Sequence, residues 1–436
     1  MSGWVEHVVW WHVYPLGFVG AEPAADDGTV VHHRLPHLVD WLDYVVDLGA
    51  NGIALGPVFA SSTHGYDTVD HLRIDPRLGD RADFDALVDA AHARGLRVLL
   101  DGVFNHVGRA HPLFVAALAG GPEQALFRLR RTPDGSVDWD DFEGHHDLVA
   151  LDHTSPAVAD LVADAMIHWL DAGADGWRLD AAYSVPPDFW APVLARVRAA
   201  HPDVYVVGEV IHGDYADVVT RSGMDAVTQY ELWKAVWSAV TTRNWWELAW
   251  SLDRHSGFLD TFVPYTFVGN HDVTRIASQL DDDGLLGHAL VVLLTVGGTP
   301  AVYAGDEQAF RGVKEERAGG DDAIRPAFPP TPDGLAPDGW WAYRLHQDLI
   351  GLRRRHPWLH RARTRTVELT NEHLLYETSA GDDRLLVALN LADDEAWLVD
   401  LPEGVIGEPA VLAGTATLDG TRVRVPGRAW TVLGRA

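Results

Sequence analysis

The sequence has no cysteine, no long apolar run and comparatively few basic residues. The absence of cysteine from all 436 residues excludes disulfides and thiolate chemistry. The most apolar stretch, ALVVLLTVGG, is shorter than the roughly 20 residues that a membrane-spanning helix needs. The first residues, MSGWVEHVVW, lack the basic region of a secretory signal. We therefore expect a cytoplasmic protein without a membrane partner.

Acidic residues outnumber basic ones. Lys and Arg total 34 against 63 Asp and Glu, so the formal net charge is −29. A field of that sign repels phosphate backbones, and we expect no nucleic-acid partner. A small neutral molecule is indifferent to this field. The 18 tryptophans offer flat apolar faces to such a ligand, although most of them are expected in the core. Composition gives no indication of the oligomeric state.

Short β-rich runs alternate with amphipathic helical stretches between residues 8 and 307. A parallel strand needs a crossover helix and is covered on both faces, so this alternation predicts an α/β fold, a (β/α)8 TIM barrel. An open, doubly wound sheet is the alternative. The predicted strands are VVWWHVYP, NGIALGP, RVLLDGVF, GWRLDA, VYVVGEV, AVTQYEL, TFVPYTFVGN and PAVYAGDE.

Two regions depart from this alternation. Residues 106–153 are rich in Gly, Pro, Asp and His and are too long for an ordinary loop, which predicts a short inserted subdomain B after strand 3. After residue 355, short alternating runs such as HLLYET and RLLVALNL are separated by turn residues. We therefore predict a barrel at 1–105 and 154–355, subdomain B at 106–153, and a C-terminal antiparallel β-sandwich domain at 356–436.

The stretch GWRLDA (176–181) places a charged pair in an otherwise apolar strand. Because side chains alternate along a strand, Arg178 and Asp180 share one face, and Trp177 and Leu179 share the other. One interpretation is a structural ion pair at the rim of the sheet. The other is functional, because the active sites of such barrels lie at the carboxyl ends of the strands.

Three other predicted strands also end in polar residues. The third ends at Asp101 and leads into His106, the fifth ends at Glu209, and the seventh leads into His271 and Asp272. Carboxylates that converge on a neutral substrate indicate a general acid and a nucleophile acting at an acetal. We expect the arginine of the fourth strand to lower the pKa of the neighbouring aspartate and keep it ionised.

Four segments follow one another along the chain: DGVFNH (101–106), GWRLDAAYS (176–184), GEVIH (208–212) and FVGNHD (267–272). They resemble, in order and position, the signature segments of the α-amylase superfamily of glycoside hydrolases and transglycosylases, glycoside hydrolase family 13. The resemblance extends over residues 8–350. In its motifs the chain is most similar to the cyclomaltodextrinase and neopullulanase branch.

The resemblance implies a role for each matching residue. Asp180 corresponds to the nucleophile, Glu209 to the general acid and base, and Asp272 to the carboxylate that grips substrate hydroxyls. Asp101 could equally be a structural carboxylate at the rim. Arg325, in DDAIRPAF, is a further candidate that could reach the cleft. The residues expected to bind substrate are Tyr66, Asp67, His64, His106, Arg178, His271 and Arg325.

A calcium ion is not expected. The third and fourth positions after the nucleophile, often Lys and His in calcium-dependent amylases, are Tyr183 and Ser184 here. A hard cation needs several oxygen ligands, and Asn105 is the one matching ligand. We therefore expect neither a metal nor another cofactor.

The resemblance implies a retaining hydrolase that cleaves α-1,4-glucosidic bonds of soluble malto-oligosaccharides or cyclodextrins through a covalent glycosyl-aspartate. The same residues also fit a transglycosylase or isomerase of the trehalose synthase, amylosucrase or sucrose phosphorylase type. A sugar-binding relative without activity would lack one of the three carboxylates, and none is missing. The bond preferred and the acceptor stay open.

Overall fold

The central element is a parallel sheet of 8 strands. The computed structural model describes residues 3–26, 30–280, 282–317, 319–401 and 408–435. The strands of the central sheet are β1 (Trp10–Val13), β2 (Gly52–Leu55), β3 (Arg97–Gly102), β4 (Gly176–Leu179), β5 (Tyr205–Gly208), β6 (Ala226–Val227), β7 (Tyr265–Phe267) and β8 (Thr299–Tyr303).

The sheet curls into a barrel. Neighbouring strands are hydrogen bonded in the order β6-β5-β4-β3-β2-β1-β8-β7. A parallel bridge between Thr228 and Tyr265 joins the two ends of this order, so the cylinder is nearly closed. The predicted TIM barrel is confirmed, and the alternative of an open doubly wound sheet is wrong. In this register Arg178 of β4 lies between Asp101 of β3 and Val207 of β5.

The strands present an apolar layer to each side of the barrel wall. Trp10 and Tyr205 fill the interior, where their rings stack with centres 6.3 Å apart. On β4, Trp177 and Leu179 pack in the apolar core that includes the surrounding helices. Since side chains alternate along a strand, Arg178 points into the barrel, above the apolar interior layer.

The helices cover the outside of the barrel through apolar faces. In the helix Arg81–Ala93 the buried side chains recur three or four residues apart, and a capping box between Asp80 and Asp83 closes its first turn. In the described ranges, no helix has both the length and the apolar character needed to cross a membrane. The α-helices are α1 (Pro15–Phe18), α2 (Leu35–Val39), α3 (Leu42–Leu48), α4 (Arg81–Ala93), α5 (Pro112–Leu118), α6 (Pro156–Asp171), α7 (Pro187–Ala200), α8 (Tyr215–Ser222), α9 (Tyr230–Thr242), α10 (Trp246–Phe258), α11 (Ile276–Gln279), α12 (Leu286–Thr295) and α13 (Trp340–Arg355).

Small antiparallel sheets occupy the connections after β2 and β3. They line one side of the barrel mouth, as described below. The domain boundaries predicted from the sequence remain predictions, because the positions of strands and helices do not by themselves define where a domain begins or ends. The paired strands are Phe59–Ser61 with Thr68–Ile74, His106–Gly108 with His145–Ala150, His145–Ala150 with Asp141–Phe142, and Leu129–Arg131 with Val137–Trp139.

Two antiparallel sheets follow α13, as the alternating runs predict. Their strands are β9 (Arg363–Leu369), β10 (His373–Ala380), β11 (Asp383–Asn390), β12 (Trp397–Asp400), β13 (Pro409–Gly414), β14 (Thr417–Asp419), β15 (Arg422–Val425) and β16 (Trp430–Arg435). The larger has the order β9-β10-β11-β16-β13 and the smaller the order β12-β15-β14. Trp397 and Val423 of the smaller sheet share an apolar cluster with Leu375 and Leu386 of the larger one.

A buried ion pair joins the segments that follow β7 and β8. Arg275 is fully buried and lies 2.8 Å from Asp306. It also donates hydrogen bonds to the carbonyls of Ala304 and Ile324, at 3.0 and 2.9 Å. Burial raises the pKa of Asp306 to about 6, although Arg275 opposes this shift. The arginine therefore ties three separate pieces of chain together.

We expect Arg275→Met to lower the free energy of unfolding by about 3 to 5 kcal/mol, because it leaves a buried carboxyl group without its partner. Arg196→Met is the control. Arg196 pairs with Asp160 and Asp164 at the surface, and its loss is expected to cost less than about 1 kcal/mol. Urea titrations of both variants measure the difference. Equal losses would contradict the structural role given to Arg275.

Candidate active site

Four barrel strands deliver charged side chains to one end of the cylinder. Asp101 lies near the carboxyl end of β3, Arg178 lies in β4, and Asp180 and Glu209 directly follow β4 and β5. Asp272 lies five residues beyond the last residue of β7. The structure thus brings together the three carboxylates that the sequence singled out as catalytic, with Arg178 among them.

Arg178 lies at the centre of this cluster and contacts three of its carboxyl groups. Its Nη1 atom lies 2.7 Å from Asp101 Oδ2 and 2.9 Å from Asp180 Oδ1, and its Nη2 atom lies 2.8 Å from Glu209 Oε1. The arginine side chain is 11% exposed. Three carboxyl groups from three strands therefore share one nearly buried cation.

The shared cation is not enough to keep the pKa of Asp180 low. Burial raises this pKa well above its usual value; Arg178 opposes the shift, whereas the charges of Glu209, Asp101 and Asp272 add to it. The net direction is opposite to the one predicted from sequence. The reason is that the sequence pattern showed the neighbouring arginine but neither the depth of burial nor the number of carboxylates sharing it.

The pKa of Asp272 is shifted in the opposite direction. Burial opposes its ionisation, but His271 and Arg325 lower its pKa well below the usual value. Arg325 Nη2 lies 2.8 Å from Asp272 Oδ1, and His271 Nε2 lies 2.8 Å from Oδ2. Arg325 is also stacked over the ring of Tyr14, 4.6 Å from its centre. The candidate Arg325 thus belongs to the charged cluster at the barrel mouth.

Tyr66 and the two predicted histidines surround the carboxylates. The Tyr66 hydroxyl contacts His271 Nε2 and donates to Asp101 Oδ2 at 3.1 Å. The rings of Tyr66 and His271 are parallel, with centres 5.4 Å apart. His106 Nε2 lies 3.0 Å from the backbone oxygen of Tyr66, and the His106 ring stacks on that of Phe142 with ring centres 4.7 Å apart. The His271 ring therefore meets the hydroxyl edge of Tyr66 and does not cover a face of its ring.

A cleft of about 440 Å³ opens above the cluster. Tyr66, His106, Asp180, Glu209 and Asp272 line it. Other lining residues are Phe142, Glu143, Leu148, Ala181, Tyr183, Ile211, Tyr230, Trp233, Val273 and Lys314.

Two predicted residues line a separate cavity. His64 and Asp67 lie in an adjacent space of about 700 Å³, together with Arg109 and the segment 144–148. Both oxygens of the Asp67 carboxylate are engaged, since they accept hydrogen bonds from Thr63 at 3.0 and 2.8 Å. Leu148 lines both the cleft and this cavity, so the two spaces are neighbours.

Sequence reasoning missed two polar residues that hold Glu209 and Asp272. The Tyr230 hydroxyl donates to Glu209 Oε1 at 3.1 Å. Asn270 donates to the Tyr230 oxygen at 2.9 Å and accepts from the backbone N–H of Asp272, also at 2.9 Å. Both residues lie in quoted segments, AVTQYEL and FVGNHD, beside the strand ends. Their position next to the predicted strand ends is the sequence feature that could have identified them.

The backbone next to Asp180 takes an uncommon conformation. Ala181 has φ 46°, in the left-handed region that costs energy for a residue other than glycine. The N–H of the same residue donates a hydrogen bond to Glu209 Oε2, at 2.9 Å. The turn after β4 thus links the two candidate catalytic carboxylates through the main chain.

A hydrogen bond across the barrel mouth forms one wall of the cleft. The Tyr183 hydroxyl donates to Glu143 Oε1 at 2.9 Å, and Glu143 lies in a turn with φ 51°. Phe142 and Glu143 line both the cleft and a second cavity of about 400 Å³. Phe142 and Glu143 therefore separate these two spaces, and Tyr183 contributes to the wall of the cleft.

Two places in the described ranges carry residues of the types that bind metal ions. The side-chain amide of Asn105 contacts His106 Nδ1 at 3.1 Å, and its backbone oxygen accepts from Leu151 at 3.1 Å. Within the described ranges, one group of His and Asp side chains is close enough to hold an ion: His33, Asp80 and Asp83. The two aspartates cap α4, and none of the three lines the cleft.

Comparison with known sequences decides the family. The profile described as "Alpha amylase, catalytic domain" matches residues 25–330. The chain belongs to the α-amylase family. It is a glycoside hydrolase of that family, related to cyclomaltodextrinases and maltogenic amylases. The resemblance inferred from the four segments is therefore confirmed for the family.

Individual relatives agree with this assignment. A cyclomaltodextrinase from a Bacillus species is 30% identical over 417 residues, which cover 89% of this chain and 73% of that protein. The intracellular maltogenic amylase of Bacillus subtilis strain 168 is 31% identical over 71% of this chain and 56% of its own length. The ligand-free cyclic α-maltosyl-(1→6)-maltose hydrolase of Arthrobacter globiformis superposes with a TM-score of 0.82 at 25% identity, covering 99% of this chain and 100% of that chain.

We expect Asn270→Ala in this α-amylase family member to lower kcat/KM by up to about 100-fold, because it releases both Tyr230 and the main chain at Asp272. Gln347→Ala is the control, since Gln347 donates to a backbone oxygen outside the cleft. Steady-state kinetics with maltotriose and thermal melting of both variants are the measurements. A loss of activity that merely follows a lower melting temperature would contradict the positioning role.

Proposed function

We propose that the chain is a retaining hydrolase of α-1,4-glucosidic bonds in soluble malto-oligosaccharides or cyclodextrins. The observation that carries this proposal is the contact of Asp180 and Glu209 with two nitrogens of one guanidinium, that of Arg178. Carboxyl groups held this close together favour the separation of about 5 to 5.5 Å typical of retaining enzymes over the wider spacing of inverting ones.

In the proposed first step, Glu209 gives its proton to the glycosidic oxygen as the bond from that oxygen to the anomeric carbon breaks. A carboxylate oxygen of Asp180 forms a bond to the same carbon, which gives a covalent glycosyl-enzyme. In the second step Glu209 takes a proton from water, whose oxygen displaces Asp180. Both carboxyl groups then return to their starting states.

The remaining residues hold the sugar. Asp272 stays ionised through its contacts with His271 and Arg325, and it is placed to accept hydrogen bonds from sugar hydroxyls. Tyr66 and His106 line the same cleft and supply apolar and polar contacts. His64 and Asp67 line the adjacent cavity, where further sugar units of a longer substrate would lie.

The proposed substrates are short or cyclic for two reasons. The Glu143–Tyr183 hydrogen bond bounds the cleft on one side, which limits the room for a long linear chain. The related sequences are named cyclomaltodextrinase and maltogenic amylase. One of these names includes "intracellular", and we propose a cytoplasmic location for this chain as well.

A product time course tests the proposed reaction. Maltotriose, maltose, a cyclodextrin, sucrose and trehalose are incubated separately, and products are followed with detection of the anomer released. The hydrolase proposal expects net release of reducing sugar from maltotriose and the cyclodextrin, with the α-anomer formed first. Rearrangement of disaccharides without reducing sugar, while maltotriose stays uncut, would instead show a transglycosylase or isomerase using the same residues.

The proposed role of Glu209 as general acid predicts that the loss of activity in Glu209→Gln depends on the leaving group of the substrate. We expect a loss of roughly 10²- to 10⁴-fold on maltotriose but less than about tenfold on a nitrophenyl glucoside, whose leaving group needs little protonation. Asp180→Asn is the matched comparison and should abolish turnover of both substrates, because each needs the nucleophile. Equal losses for Glu209→Gln on the two substrates would argue against the acid role.

The charge cluster predicts a shift of the pH profile in Asp101→Asn. The negative charge of Asp101 raises the pKa of Asp180, so its removal lowers that pKa. Because Asp180 reacts in its ionised form, the acidic limb of kcat/KM should move to lower pH. Asp70→Asn, at the surface, is the control and should leave the limb in place. A limb that moves to higher pH in Asp101→Asn would contradict the assignment.

A further inference from the structure

His12 of β1 is a polar residue in the interior of the barrel that the proposed reaction does not use. Trp10 belongs to the interior apolar layer, and since side chains alternate along a strand, His12 points into the barrel as well. The side chain of His12 is buried. A polar ring in such an interior costs free energy unless it has a hydrogen-bond partner. The position of His12 therefore calls for a polar neighbour.

The ring of His271 lies beside that of His12, with ring centres 5.0 Å apart and planes at 83°. On one side of the His271 ring, Nε2 contacts Asp272 and the Tyr66 hydroxyl. On the other side, Nδ1 is buried and has no hydrogen-bond partner among the described residues. Buried polar atoms that find no partner in the protein are commonly satisfied by an ordered water.

A small cavity of about 20 Å³ adjoins both rings. One water molecule needs at least roughly 10 to 15 Å³, so the cavity has room for one water and no more. His12 and His271 line it together with Thr228, Tyr230 and Asn270. A buried water also needs two to four polar partners, and this wall supplies them. The size and the polarity of the cavity both fit a single ordered water.

His12 is suited to bind such a water because its ring stays neutral. Burial, His271 and Arg178 hold the pKa of His12 well below its usual value. The charge of Asp272 opposes this shift. A neutral imidazole has one donor and one acceptor nitrogen, whereas a protonated one has two donors. His12 can therefore donate to the water or accept from it without adding a second cation beside Arg178.

We propose that His12 is a positioning residue that holds His271 through one water in this cavity. The water bridges a ring nitrogen of His12 and Nδ1 of His271, so that Nε2 stays aimed at Asp272. Because a water both donates and accepts, it satisfies Nδ1 whether or not that atom carries a proton. His12 does not line the cleft and acts through His271. Its effect on catalysis rests on the proposed function, in which Asp272 grips the sugar.

The kinetic test compares His12→Leu with His12→Gln. Leucine is similar in size to histidine but cannot bind the water, whereas glutamine keeps a donor and an acceptor. We expect His12→Leu to raise KM for maltotriose about tenfold, the equivalent of one hydrogen bond of a buried group. Its kcat should stay within about threefold, because Asp272 and His271 hold the sugar both before and during the reaction. His12→Gln should bring KM back to within about threefold of the unmodified chain.

His346→Leu is the matched control. His346 is buried in α13, and its Nε2 atom also has no partner within the part of the chain that the structure describes. It lines neither the cleft nor the small cavity, so its loss should lower the melting temperature and leave KM unchanged. The same pattern in His12→Leu, with a lower kcat at unchanged KM, would overturn the positioning role, since fewer folded molecules account for it. Equal KM values for His12→Leu and His12→Gln would overturn it as well.

Crystal structures at a resolution that shows ordered water give an independent readout. The unmodified chain should show one water between His12 and Nδ1 of His271, and His12→Leu should show none there. A dry cavity in the unmodified chain, or a water that contacts no nitrogen of His12, overturns the proposal. If the bridging water is seen but neither maltotriose nor a cyclodextrin is cleaved, the proposed function falls and the bridge between the two rings stands.

Discussion

The nearly buried guanidinium of Arg178 is the constraint on which the barrel mouth depends. A buried cation is stable when its charge and its hydrogen-bond donors are satisfied. Asp101, Asp180 and Glu209 satisfy it from three strands, and each of them is in turn placed by the arginine. The barrel wall supplies the spacing, since β3, β4 and β5 are neighbours in the sheet. Fold and site are thus connected through one side chain.

The electrostatics divide the carboxylates into two kinds. Asp180 shares its arginine with two competitors and is buried, so its pKa rises. Asp272 has Arg325 and His271 within 2.8 Å, and its pKa falls. Both residues are aspartates, so the difference between their pKa values arises from their surroundings, in particular from how many carboxylates share each neighbouring cation.

The sequence predicted the barrel and the convergence of Asp180, Glu209 and Asp272, because strand periodicity and strand ends are local features. It also placed Arg178 and Asp180 on one face of β4. It did not predict that Tyr230 would reach Glu209, because that contact depends on where α9 starts after a two-residue strand. The Glu143–Tyr183 contact joins residues forty positions apart across the mouth, and no local pattern indicates it. Burial, which reverses the pKa direction of Asp180, is a property of the assembled barrel.

The short strand β6 has a consequence for motion. The cylinder is completed between β6 and β7 by the bridge from Thr228 to Tyr265, whereas the other neighbouring strands pair over longer registers. A seam with few ladder bonds opens locally at a lower free energy than the rest of the wall. This seam separates the half of the barrel that holds Arg178, Asp180 and Glu209 from the half that holds Asp272. Local opening along this seam therefore changes the spacing between Asp272 and the arginine cluster, whereas the contacts within the cluster lie on one side of it.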